Sequence, residues 1–76
     1  MLKGIVIPIE WGKDGDVIAV VISTNREDEY RVENEGCGSE LLHHIQAEVE
    51  VSGIVSIDHD QKRIKVEEYK ICRTWE

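Results

Sequence analysis

The sequence predicts an all-β fold, a five-stranded β-barrel with one short helix between its third and fourth strands. Three observations predict it. Isoleucine and valine dominate the apolar residues, and β-branched side chains favour strands. The stretches KDGD and DHDQ have the composition of hairpin turns. Residues 47–57 alternate between apolar and polar side chains, which is the period of a strand.

Size and charge narrow the possible functions. A chain of 76 residues with 41% hydrophobic residues predicts one ordered domain over residues 1–76 with a modest core, residues 72–76 being a tail. The formal charge of −7 repels phosphates, which disfavours nucleic-acid and membrane surfaces. The apolar start of the chain is too short for a signal peptide or a membrane span. We therefore expect a cytoplasmic protein whose two cysteines, Cys37 and Cys72, are reduced and mostly buried.

The first predicted hairpin joins residues 5–11 to residues 17–22. Asp14 and Gly15 favour a two-residue turn, because glycine tolerates the positive φ that such a turn needs. This turn sets a register in which three pairs lie on the core face: Trp11 with Ile18, Ile9 with Val20, and Ile7 with Ile22. The opposite face of the second strand then carries Val17, Ala19 and Val21.

A third strand is expected near residues 29–33, followed by a short helix. The preferred register turns Tyr30 and Val32 inward and Arg31 and Glu33 outward, and a shift by one residue is the alternative. The helix has about two turns, with Ser39 as its cap and one apolar side that closes an end of the sheet, formed by Leu41, Leu42 and Ile45.

The last two strands form a long hairpin around DHDQ, with Val55 opposite Ile64 and Gly53 opposite Val66. Continuing this register places Glu68 against Val51, so a β-bulge is predicted at Glu67–Glu68. The bulge restores three pairs: Tyr69 with Val51, Ile71 with Val49, and the oppositely charged Glu50 with Lys70.

This order of elements resembles small OB-fold proteins. The segments that carry the resemblance are LKGIVIPIEW, DVIAVVIS, EYRV, SELLHHI, AEVEVSGIVSI and KRIKVEEYKI. The resemblance implies a Greek-key barrel that binds its ligand on the face of strands two and three and in two adjoining loops. On this chain the implied binding residues are Lys13, Ala19, Val21, Arg31, His59, Gln61, Lys62, Arg63 and Lys65. An SH3-like barrel is the alternative fold, which the intervening helix disfavours.

Two groups of residues resemble catalytic or metal sites. DHDQ is interpreted as a solvated hairpin tip, because aspartate is a good turn former and a zinc site needs three or four ligands that converge from rigid positions. The second group consists of Cys37, Glu40, His43 and His44, which we interpret as surface residues because no orienting partner or oxyanion donor accompanies them. We therefore predict no catalytic residue, no metal site and no cofactor.

The predicted function is a non-enzymatic binding module that contacts a protein partner, or itself, through the face of strands two and three. An apolar strip of Val17, Ala19 and Val21 beside Pro8 suggests this contact, although the tail with Trp75 could cover the strip instead. The alternative function is weak binding of single-stranded nucleic acid, or of an oligosaccharide, by the basic residues Lys13, Arg31, Lys62, Arg63 and Lys65. The net charge and the lack of exposed aromatic residues disfavour it.

Overall fold

A computed structural model describes residues 1–73 as one closed sheet of five strands and a short helix. The elements are β1 (Leu2–Trp11), β2 (Val17–Ser23), β3 (Glu29–Val32), a 3₁₀ helix (Gly36–His43), β4 (Glu48–Asp58) and β5 (Gln61–Arg73). The strands follow the order β1-β2-β3-β5-β4 around the sheet, and β4 pairs with β1 to close it. Only the β3–β5 pairing is parallel among these. The all-β prediction is confirmed.

The core lies inside the closed sheet. It consists of aliphatic side chains from every strand and from the helix: Val6, Val20, Ile22, Val32, Leu41, Ala47, Val49, Val51, Ile64 and Val66. Tyr30, Leu42, Ile45 and Tyr69 pack against this cluster while remaining partly exposed. The inward direction of Tyr30 and Val32 on β3 is as predicted, and Arg31 pairs with Val21 beside the outer face.

The first hairpin has a different register from the predicted one. Val6, and not Ile7, pairs with Ile22 and is fully buried, and the pairing shifts between Pro8 and Trp11. Gly4 explains the register: a side chain there would collide with the Ser23 carbonyl oxygen, so the close contact between strands selects glycine at an inward position. Trp11, predicted in the core, is 57% exposed. The turn also spans more residues than predicted, because the Gly12 amide bonds the Asp16 carbonyl over 2.8 Å.

The predicted helix is present as a 3₁₀ helix that packs against β5 and β2. Leu41 is fully buried, and Leu42 and Ile45 contact the core as expected. Ser39 is not the cap: it lies inside the helix and its hydroxyl donates to the Gly36 carbonyl oxygen at 3.4 Å. The helix therefore depends on packing of its leucines rather than on a capping side chain.

The last hairpin has the predicted register. Val55 pairs with Ile64, Gly53 with Val66, Val51 with Tyr69 and Glu50 with Lys70, and the pairing shifts between Ser52 and Gly53 so that Glu67 is the extra residue. His59 and Asp60 have positive φ angles of 52° and 66°. They form the two-residue turn between Asp58 and Gln61, which confirms that DHDQ is a hairpin tip.

Gly53 lies at the bulge, where the β5 backbone comes so close that a methyl group would meet the Lys65 carbonyl oxygen. We expect Gly53→Ala to lower the free energy of unfolding by about 1–3 kcal/mol, because the backbone must move to make room. Urea denaturation measures the change. Gly12→Ala is the matched control, since its methyl group would make ordinary contacts with Ile18 and Asp16. An equal effect at both glycines would contradict this account of the bulge.

Candidate functional site

The outer face of β2, the predicted contact surface, is covered within the chain. Ala19 and Val21 are only 4% and 6% exposed, so the prediction that they form an open apolar strip is wrong. Arg31 of β3 lies beside Val21, and Glu10 of β1 lies beside Ala19. The Arg31 Nη2 and Glu10 Oε1 atoms are 2.6 Å apart, so this ion pair crosses β2 between its two neighbouring strands. The alternative cover, Trp75, lies outside the described residues.

The basic residues predicted for nucleic-acid binding come together only in part, since Arg31 pairs with Arg63 across the parallel β3–β5 ladder whereas Lys13 lies in the β1–β2 loop. Lys62 lies on the same side of β5 as Ile64, whereas Arg63 and Lys65 alternate to the opposite side. The Lys62 ammonium is 2.7 Å from Asp28 Oδ1, and the Lys65 ammonium is 3.6 Å from Glu35 Oε2. Acidic neighbours therefore offset Lys62 and Lys65, as Glu10 offsets Arg31.

Lys62 contacts both an acidic and an aromatic side chain, those of Asp28 and Tyr30. Its nitrogen is 5.5 Å from the centre of the Tyr30 ring, within range of a cation–π interaction. The hydrogen bond to Asp28 raises the pKa of Lys62 above its usual value. Arg63 donates to Gln61 Oε1 at 3.0 Å, so these two predicted binding residues contact each other.

The remaining predicted binding residues, Lys13 and His59, lie in the two loops that the OB-fold resemblance implied. Lys13 is exposed in the loop between β1 and β2, close in sequence to the exposed Trp11. His59 is exposed at the tip between β4 and β5, where its Nε2 is 3.4 Å from Asp58 Oδ1. The exposed aromatic side chain of Trp11 is a feature that the sequence interpretation did not expect, since it placed Trp11 in the core.

The residues around Cys37 have structural partners. The Cys37 thiol donates to the carbonyl oxygen of Glu67, the extra residue of the bulge, at 3.4 Å. Glu40 accepts a hydrogen bond of 3.0 Å from the Tyr69 hydroxyl, which raises the pKa of Tyr69 because the phenol must keep its proton to donate. Folding thus favours protonated Tyr69, and this contribution is lost as the pH rises above the ordinary tyrosine range.

Of the two histidines in this group, one is exposed and the other is partly buried. His43 is exposed, and the His44 ring centre is 6.0 Å from that of Tyr69. Among residues 1–73, histidine, cysteine and acidic side chains nowhere gather in threes as a metal ion would require. Cys37 and Cys72 are free thiols, but Cys72 is exposed, so the prediction that both are mostly buried is wrong.

The surface that the sequence interpretation missed is the distal hairpin, which we define as residues 52–64. It exposes three aliphatic side chains: Ile54 at 58%, Val55 at 49% and Ile57 at 69%. The predicted apolar face of residues 47–57 is buried only in its first half, and among residues 1–73 β1 pairs with β4 only as far as Leu2 opposite Val51. One signal was visible in the sequence, since Ile54 interrupts the polar face of an otherwise alternating strand.

The distal hairpin also has an unpaired edge. Within residues 1–73, the part of β4 beyond Val51 pairs with β5 alone, so its other side offers free backbone groups over residues 52–58. Beside this edge lies a pocket of about 210 Å³ lined by Met1, Leu2, Val51, Ser52, Gly53, Val55 and Ile64. The combination of a free edge and an apolar pocket makes this part of the molecule the best candidate for a contact with another chain.

No protein-family model matches the chain, and no curated protein or solved structure matches it either. Within the described part of the chain, the structure contains no helix with the length and apolarity needed to cross a membrane.

The Glu10–Arg31 ion pair generates a prediction about stability. The side chains are 28% (Arg31) and 47% (Glu10) exposed, so a double-mutant cycle of Glu10→Ala and Arg31→Ala should give a coupling of about 0.2–1 kcal/mol. Arg31→Ala should cost more than Glu10→Ala, because the arginine stem covers apolar surface beside Val21.

Urea denaturation of the four proteins measures the coupling. Lys13→Ala serves as the control, since Lys13 is exposed in a loop and its loss should change little. A coupling of zero, with equal effects of the two single substitutions, would contradict the role assigned to Arg31 as a cover for β2.

Proposed function

We propose that this protein is a non-enzymatic binding module, built on an OB-like barrel, that contacts another polypeptide through the distal hairpin. The observation that carries the proposal is the exposure of Ile54, Val55 and Ile57 on a hairpin that extends beyond the rest of the sheet. The contact surface is therefore different from the face of β2 and β3 that the sequence favoured. On that face Ala19 and Val21 are buried, and the Arg31–Glu10 ion pair crosses β2 beside them.

The arrangement of strands supports the OB-like assignment. The sheet order β1-β2-β3-β5-β4, the parallel β3–β5 pair and the helix between β3 and β4 are the features that such a barrel has. The bulge at Glu67 bends the long β4–β5 hairpin, which a small closed barrel needs. An OB-like barrel is a scaffold for binding, and its surface decides what is bound.

The physical argument for a protein contact is the cost of leaving this surface in water. Exposed single aliphatic residues are common, but three on one short hairpin beside an unpaired strand edge favour association with another chain. Strand residues hold these side chains in a defined geometry, since β4 and β5 pair continuously from Asp58 to Gly53. Little conformational entropy is then lost when a partner binds.

The test is site-specific photo-crosslinking in cells that express the protein. Benzoylphenylalanine at position 57 should give a discrete adduct with a polypeptide, and the same group at position 14, in the exposed β1–β2 turn, should not. Val55→Asp in the same chain should remove the adduct by placing a charge on the contact surface. No adduct at position 57, or equal adducts at both positions, would contradict the proposal.

A second candidate is weak binding of single-stranded nucleic acid, and the exposed Trp11 favours it. Base stacking on an aromatic side chain contributes about 1–3 kcal/mol per base, and Trp11 lies in the chain close to Lys13. The net charge of −7 opposes this function, as do the acidic partners of Arg31, Lys62 and Lys65. We therefore rank it second.

An amide-resolved NMR titration with a mixed-sequence single-stranded oligonucleotide at low salt tests this candidate. Binding should shift the amides around Trp11 and Lys13, and added salt should reverse the shifts because counterions compete for the phosphates. Trp11→Ala should weaken the binding by about tenfold if a base stacks there. A spectrum that does not change at low salt would exclude this function.

A further inference from the structure

The partner of the distal hairpin follows from the shape of its free edge. Resting on the proposed function, we propose that the partner is a second copy of this chain, and that the two β4 edges pair antiparallel about a two-fold axis at Val55. The contact would extend each β4–β5 hairpin into a four-stranded sheet shared by two molecules. Three observations support it: the direction of the free backbone groups, the fit of the side chains, and the distribution of charge along the edge.

The backbone groups have the required direction. Asp58 and Gln61 close a two-residue turn, and such a turn makes them a hydrogen-bonded pair. Successive residues of a strand alternate in the direction of their backbone groups, so Ser56 and Ile54 also point theirs toward β5. Gly53, Val55 and Ile57 consequently point their N–H and C=O groups away from β5, toward the free edge.

The length of the edge determines the register. The free part of β4 runs from residue 52, next to the end of the β1 pairing at Val51, to residue 58 at the turn. An antiparallel two-fold pairing that uses the whole edge places residue 52 of each copy opposite residue 58 of the other. Its centre is Val55, which is also one of the residues whose backbone groups are free to pair.

The side chains fit in this register. Val55 would lie beside Val55 of the second copy, and Ile57 would lie opposite Gly53, which has no side chain to obstruct it. The pocket of about 210 Å³ that Gly53, Leu2 and Ile64 help to line then lies next to Ile57 of the second copy. An isoleucine side chain that is 69% exposed in one molecule would thus enter an apolar pocket of the other.

Charges of opposite sign lie near the two ends of the free edge. One end of the free edge is acidic, with Asp58 and Asp60 at the hairpin tip. The other end lies next to the start of β1, where the exposed Lys3 pairs with Glu50 on the outer face. Antiparallel pairing brings the acidic tip of each molecule toward Lys3 of the other, whose charge is offset in part by its own neighbour Glu50. The net charge of −7 on each copy opposes association, but salt at physiological strength screens charges more than about 8 Å apart.

A second copy fits better than an unrelated strand because the edge supplies both halves of the contact. Ile57 and the pocket beside Gly53 lie toward opposite ends of the same edge, as do Asp58 and Lys3. A two-fold axis brings each feature against its complement twice. The contact area is small, so we expect a dimer with a Kd on the order of 10–100 μM.

Sedimentation equilibrium at physiological ionic strength, over about 10 μM to 1 mM protein, tests the association. We expect a monomer–dimer equilibrium, and Ile57→Lys should raise its Kd by at least about tenfold because a charged side chain on a strand edge resists pairing. Ser39→Lys on the exposed surface of the helix is the control and should leave Kd unchanged. A monomer at every concentration would overturn the proposal.

Disulfide trapping tests the register. In a background of Cys37→Ser and Cys72→Ser, Val55→Cys should form a disulfide-linked dimer on oxidation, because the Cα atoms of a hydrogen-bonded antiparallel pair lie about 5.5 Å apart. Ile54→Cys is the matched control: it is similarly exposed, but its neighbour across the axis is Ser56, so two cysteines at position 54 are too far apart. Equal trapping at both positions, or none at position 55, would overturn the register.

The outcomes separate this inference from the proposed function. A monomeric protein that still gives an adduct with a different polypeptide from position 57 overturns the dimer and leaves the binding function standing. A monomeric protein with no adduct at position 57 overturns both. Circular dichroism of each variant establishes that it is folded before its association is measured.

Discussion

The structure depends most on the bulged antiparallel ladder between β4 and β5. The extra residue Glu67 changes which side chains of β5 face inward, so that Ile64 and Val66 on one side of the bulge and Tyr69 on the other all face the core. Gly53 permits the bulge, because only a residue without a side chain can lie so close to the Lys65 carbonyl. Cys37 then donates its thiol proton to the Glu67 carbonyl, which links the bulge to the 3₁₀ helix.

The same ladder creates the surface to which we assign function. β4 and β5 stay paired to the turn at His59–Asp60, whereas β1 pairs with β4 only as far as Val51. Within residues 1–73, the difference in length leaves the second half of β4 with one neighbour instead of two. Val55 and Ile57, which continue the inward alternation of Val49 and Val51, are therefore exposed, and in the described part of the chain an unpaired strand edge lies beside them.

The outer face of β2 has the composition of a contact surface, yet Ala19 and Val21 on this face are buried in the folded protein. An ion pair between the two neighbouring strands crosses the face beside them. Arg31 is only 28% exposed, and an arginine at such a position can cover apolar surface with its stem as well as pair its charge. A residue that looks like a phosphate ligand in the sequence thus stabilises the sheet, and Lys62 does the same beside Tyr30 and Asp28.

The sequence by itself determined the features that depend on local pattern. Alternation and turn chemistry predicted the second hairpin pair by pair, and the conflict between Glu68 and Val51 predicted its bulge. The first hairpin was predicted with the wrong register, because the close contact of Gly4 with Ser23 lies between strands and leaves no local signature. Only the tertiary structure decided that Trp11 is exposed, that Ala19 and Val21 are buried, and that Val55 and Ile57 lie past the point where β1 stops pairing with β4. Burial is a property of what packs against a residue, and for these residues the neighbours, or their absence, are set by where other strands begin and end.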